Sequence, residues 1–301
     1  MSLFSKKPPC FICGSKISWL LPWKIEGEYI CDTCHNKIDM EADKASQLTM
    51  QDFRDYLEFY DGNQRLKEQF VTSEQIDFGI WDIKIIFDYQ NKLFCMSKNP
   101  DKTVFEGGQL KSFAIKEDRA LLVEGSSEGI RRYASTLPER AMAMGPQISQ
   151  YMMNKQIAHA LDKLDDGKGK GTAPVQYFNV PEPFRAFNVE LYFNHPYWTM
   201  IKCDMDGPRF DNTHPDVNNY LRAYQCSREV LENLVAALRR VAFPDAPEYF
   251  AGLDTGTQAI HTAMTTSADT IEDIKKYKAL MEKGVISRQE FEAKKKKLLE
   301  N

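Results

Sequence analysis

Between Ile76 and Glu124 apolar and polar residues alternate, whereas from Pro215 to Val241 apolar residues return at every third or fourth position. The first period is that of half-buried strands and the second that of an amphipathic helix. Ile83, Ile85 and Phe87 share one face. Leu93 with Cys95, Val104 with Phe105, Phe113 with Ile115, and Leu121 with Val123 mark four further short strands. Turn-forming residues at 88–92, 97–102 and 106–109 separate them, which predicts an antiparallel meander of five or six strands. Alternation resumes at Phe187, Val189, Leu191 and Phe193, and again from Trp198 to Cys203 after a turn at His195-Pro196. The long helix carries Tyr220, Leu221, Tyr224, Leu231, Leu234, Val235 and Leu238 on one face, with Pro215 suited to its first position.

Residues 125–186 interrupt the strands. A helix is expected to open at Pro138 and to present Met142, Ile148, Tyr151, Met152, Ile157, Leu161 and Leu164 as one stripe, ending at Asp165-Asp166-Gly167. The stripe is rich in methionine, a side chain that suits either packing or an adaptable binding surface. Antiparallel strands closed by one C-terminal helix have the layout of a PH-like barrel, here split by the insertion, so the expected fold class is α+β.

Upstream, Thr49 and Asp52 have the spacing of a capping box, with Leu48 stapled onto Phe53. The helix they open is expected to stop at Asp61-Gly62-Asn63, and a second short helix to reach about Phe70. Downstream, residues 243–268 read as a linker. Thr270 then caps a helix bearing Ile274, Tyr277 and Leu280; Ile286 follows Gly284, and Ser287 to Glu290 open a second helix bearing Phe291 and Leu298. Two helices this short bury little alone, so self-association through these residues is expected. The expected domains are a ribbon at 1–40, connecting helices at 41–75, the barrel with its insertion at 76–242, the linker, and a hairpin at 269–301.

Bulk properties narrow the function classes. The 301 residues are 43% hydrophobic, enough for a real core, and carry a net charge of −4. No global positive field gathers nucleic acid or anionic lipid. No secretion signal or membrane-spanning apolar run is visible, so the expected location is cytoplasmic. Outside the N-terminal region, Cys95, Cys203 and Cys226 lie among apolar neighbours and are expected to be buried, reduced thiols.

The strongest chemical signal is Cys10-x-x-Cys13 and Cys31-x-x-Cys34, with seventeen residues between the pairs. Two residues between thiolates let a tight knuckle aim both sulfurs at one point, and two such pairs complete a tetrahedral shell for one structural Zn²⁺. A thioredoxin-type redox site would need only one pair. His35 is a fifth ligand candidate, although four sulfurs already fill the shell. Residues 1–40 hold five lysines against four carboxylates, and a zinc tetrathiolate adds two negative charges, which argues against nucleic-acid binding here. The five histidines form no HExxH motif, and no GxSxG or Walker pattern occurs. The Gly167-Lys168-Gly169-Lys170-Gly171 run lacks phosphate-loop spacing.

Two stretches carry family resemblances. The terminal DTIEDIKKYKALMEKGVISRQEFEAKKKKLL resembles the short C-terminal domain known as SHOCT, through its GVIS turn and EFEAKKKKLL end. That resemblance implies oligomerisation or partner binding and no catalysis. CFICG and YICDTC, followed by LTMQDFRDYL, resemble an uncharacterised bacterial zinc-ribbon family that commonly precedes a PH-like domain. The chain therefore reads as a non-enzymatic, zinc-containing scaffold that binds a protein partner or itself. The alternative is a peripheral binder of membrane or nucleic acid through Lys294, Lys295, Lys296 and Lys297. Residues 269–301 balance nine basic groups against seven acidic ones, which favours a solvated helix face over such a patch.

Overall fold

The structure is a computed structural model that describes residues 8–17, 22–78, 84–97, 103–164 and 177–251. The chain divides into two compact units, Met1–Tyr249 and Phe250–Asn301. All but the first two residues of the second unit lie outside the described residues, and with them the expected hairpin and most of the expected linker.

The first unit begins with a hairpin of β1 (Trp23–Ile25) and β2 (Glu28–Ile30), followed by the short helices α1 (Asp32–His35) and α2 (Ala42–Ser46). Helix α3 (Met50–Gln69) is continuous where two helices were expected. Asp61-Gly62-Asn63 lies inside it because Asn63 has a distant partner, its amide bonding both backbone groups of Val104 at 2.7 and 2.9 Å. The helix start is as read, with the side chains of Thr49 and Asp52 each accepting the other's backbone N–H.

Next come β3 (Glu74–Asp77), β4 (Lys84–Asp88), β5 (Leu93–Ser97) and β6 (Val104–Glu106), which pair antiparallel in chain order as a four-stranded sheet. Buried Asp88 holds the β4–β5 turn by accepting the amides of Gln90 and Asn91, and it ties in the end of α3 through the amide of Val71. A 3-10 turn at Gly107–Gln109 leads into β7 (Leu110–Glu117), β8 (Ala120–Ser126) and β9 (Gly129–Tyr133), a second meander. The strands thus run past residue 125. Leu122, and not Leu121, joins Val123 in the core, because the β7–β8 register shifts between Ile115 and Lys116 and sets two consecutive side chains inward.

The insertion forms two helices, α4 (Leu137–Met142) and α5 (Gly145–Leu164). Gly145-Pro146 explains the break, since proline cannot donate to the preceding turn but fits the start of a new one. Strand β10 (Ala186–Phe193) then returns to the open edge of β7, and β11 (Met200–Asp206) pairs outside it. Helix α6 (Val217–Ala242) follows, capped by Asp216, whose side chain accepts the amide of Asn219; Pro215 precedes the cap instead of opening the helix. Strand β12 (Glu248–Ala251) stands where a linker was expected. The sheet order is β11-β10-β7-β8-β9-β12.

The protein is therefore a mixed α+β molecule. Its described strands form separate sheets of two, six and four, with no closed barrel among them. One hydrophobic core lies between the two larger sheets and the buried face of α6, and it includes Phe87, Phe94, Phe113, Phe187, Leu234 and Leu238. Each such side chain contributes about 1.5–3 kcal/mol on burial. Among the cysteines outside the N-terminal region, Cys203 is buried, Cys95 is half-buried with burial pushing its thiol up to about 11, and Cys226 is exposed on α6. Cys226 departs from the expected buried thiol because it falls outside the apolar stripe of its helix.

Candidate metal centre

The first knuckle is shaped by backbone bonds. The Gly14 amide donates to the Cys10 carbonyl at 2.9 Å and the Cys10 amide to the Ser15 carbonyl at 2.8 Å. Gly14 has φ +72°, a left-handed conformation that glycine adopts without steric cost. The Phe11 amide, bonded to the Tyr29 carbonyl at 2.9 Å, lays this knuckle against β2. Glu26 and Gly27, both at positive φ, turn β1 into β2 in the primed geometry that suits a two-residue hairpin. That hairpin delivers Cys31 to the start of α1, and one helical turn carries Cys34 to the same side.

The four sulfurs of Cys10, Cys13, Cys31 and Cys34 consequently lie within 4.8 Å of one another, with Cys13 and Cys31 at 3.5 Å. A tetrahedral ion with bonds of about 2.3 Å needs sulfurs about 3.8 Å apart, so the cluster has the dimensions for one metal ion. Cys10, Cys31 and Cys34 are buried and Cys13 is exposed. The Cys31 amide donates to the Cys10 sulfur at 3.3 Å.

Local electrostatics divide the set. Hydrogen bonds from the Ser15 hydroxyl and amide, and then from Cys31, bring the Cys13 thiol down to about 6. Burial pushes Cys31 and Cys34 up, and the neighbouring thiols of Cys13, Cys31 and Cys10 push Cys34 further. Four thiolates this close repel one another. A dication held by Cys10, Cys13, Cys31 and Cys34 would remove that cost and would make deprotonation and ligation one event. His35 does not join the sulfurs: its ring stacks on Trp23 at 3.5 Å between centroids, and burial lowers its basicity.

Residues that sequence reading passed over hold this module to the rest of the unit. Glu41 Oε1 accepts the amides of Thr199 and Met200 at 2.6 and 2.8 Å and the Thr199 hydroxyl at 2.5 Å. Burial raises the Glu41 carboxyl, but these donors outweigh it and leave it below its ordinary range. Asp39 accepts the Thr103 amide and hydroxyl at 2.7 and 2.8 Å, and its carbonyl accepts the Trp198 indole N–H at 3.1 Å. Tyr56 and Phe59 of α3 pack against Tyr197, and Phe59 meets buried His195 edge-on at 5.0 Å. Isolated Asp and Glu residues in short connecting segments carry no periodic signal that would have revealed these roles.

Ile274, Tyr277, Leu280, Ile286, Phe291, Leu298 and Lys294 to Lys297 lie outside the described residues.

Knuckle, hairpin and short helix define a ribbon-type, four-cysteine metal-binding module joined to a mixed α+β body. Residues 8–56, which contain all four cysteines, match the family described as a domain of unknown function (DUF4428), and residues 272–299 match the short C-terminal domain, SHOCT. No curated protein and no solved structure matches the chain.

Proposed function

We propose that this protein is a cytoplasmic, non-enzymatic scaffold whose structural Zn²⁺ shapes its N-terminal module, whose body binds a protein partner, and whose C-terminal segment drives self-association. One observation carries the structural role of the metal: four protein sulfurs satisfy a tetrahedral ion completely and leave no position for substrate or water. An all-sulfur shell suits zinc, and the reduced thiols it requires accord with a reducing compartment. A four-stranded meander precedes the meander of β7 to β9, and the long helix α6 comes after the two inserted helices and β10 and β11; this order, a PH-like layout split by an insertion, supports reading the body as an interaction platform. The SHOCT match spans all ten C-terminal residues named above, in a segment whose apolar stripes need a partner surface.

Light scattering on full-length protein and on a variant ending at residue 268, combined with elemental analysis, tests this reading. The full chain should give a mass that is a multiple of 34.7 kDa with one zinc per chain, and the shortened variant a monomer that keeps its zinc. A monomeric full chain at high concentration would sink the self-association, and absence of stoichiometric zinc would sink the metal assignment.

A further inference from the structure

A cleft of about 600 Å³ opens beside the turn between β7 and β8, lined by Glu117, Asp118, Arg119, Arg140, Arg185 and Asn188 among others. We infer that it binds a phosphate group, carried by a soluble ester or by a lipid headgroup, through the guanidinium groups of Arg119, Arg140 and Arg185.

The three arginines come from separate elements: the β7–β8 turn, α4 and the residue before β10. Asp118 fixes two of them relative to each other, because its Oδ1 accepts the amides of Arg185 and Ala186 at 3.1 and 3.3 Å. All three side chains are exposed, and none makes an ion pair or hydrogen bond with a described residue. This sets them apart from Arg131, Arg132, Arg209, Arg228 and Arg239, each of which holds a carboxylate.

The cleft lining sets three arginines against two carboxylates, Glu117 and Asp118, a net charge of +1, and neither acid forms an ion pair with these arginines. Glu117 is buried and accepts the Ser135 hydroxyl at 2.7 Å and the Tyr224 hydroxyl. Asp118 is committed to its two amides. A guanidinium fork matches the oxygen spacing of a phosphate, and a dianion repays several such forks at once. The volume is in the range of small-molecule sites.

Calorimetric titration of zinc-loaded, full-length protein with sodium pyrophosphate at constant ionic strength provides the test. Arg140→Ala and Arg185→Ala should each weaken binding by about tenfold without lowering the melting temperature. Arg65→Ala, exposed on α3 away from the cleft, should leave binding unchanged. Cosedimentation with phosphatidylcholine vesicles, with and without phosphatidic acid, identifies the source: capture by the acidic vesicles alone, lost in the two arginine variants, assigns a headgroup, whereas pyrophosphate binding without capture assigns a soluble ester. Failure of both probes to bind, or equal binding by parent and arginine variants, overturns the inference.

Discussion

The side chain of Asn63 pairs with the backbone of Val104 as a neighbouring strand would, donating to its carbonyl at 2.7 Å and accepting its amide at 2.9 Å. A residue in the middle of α3 thus completes the hydrogen bonding of β6, the edge of the four-stranded sheet. Replacing it with leucine leaves a buried N–H and a buried C=O unmatched, each costing about 1–3 kcal/mol. Asn63→Leu should therefore lower stability by about 2–6 kcal/mol, read as a shift in the urea midpoint at unchanged slope. A midpoint equal to that of the parent would show that this pairing contributes nothing.

Removing the metal should act locally. The N-terminal module has few buried apolar residues beyond Ile30, Met40, Phe53 and Tyr56, whereas the body has a large core of its own. Chelation, or Cys34→Ser, should abolish slow hydrogen exchange in β2 and α1 while β7 and β10 stay protected. Equal loss across both regions would contradict this division.

Burial holds the ring of His195 near a pKa of about 4, helped by Lys44 and opposed by Asp39. The fold therefore favours the neutral ring, and the unfolded chain binds the extra proton first. Stability should fall as pH drops from about 6.5 toward 4 and level off below that, a contribution of about 3 kcal/mol in all. The difference in unfolding free energy between the parent and His195→Asn should change over that window; a constant difference would refute the assignment. The comparison removes the acid lability of the cysteine cluster, which both proteins share.

Gly107 sits against the C-terminal end of α6. An added Cβ would lie 2.2 Å from the carbonyl oxygen of Val241, a backbone atom that cannot swing aside. Gly107→Ala should cost at least about 2 kcal/mol, in the range of forced overpacking. Gly108→Ala, with open space around its Cβ position, should melt close to the parent and serves as the control.

Local signals were legible where the physics is local. The box formed by Thr49 and Asp52, the buried stripe of α6 and the cysteine spacing all depend on residues within a turn or a knuckle of each other. What escaped depends on distant partners. Asp61-Gly62-Asn63 resembles a helix stop, but its asparagine answers to a residue 41 positions later. The inward turn of Leu122 needs the bulge beside Ile115, and β12 exists because a sheet edge is there to receive it. The strand alternation gave no information on which edge β10 would join, so the separate sheets could not be read from it.

That last choice governs how the chain reaches its final form. Lys116 and Glu190, whose side chains meet at 2.7 Å across β7 and β10, are separated by 74 positions. On the ribosome, β7 therefore emerges with one side bonded to β8 and the other bare, and it must wait for two helices and a connecting segment to follow. An unsatisfied strand edge is an invitation to wrong neighbours. The slowest and most error-prone moment in the biogenesis of this protein is thus expected late in synthesis, at the closing of its largest sheet, long after the cysteine knuckles are available for loading.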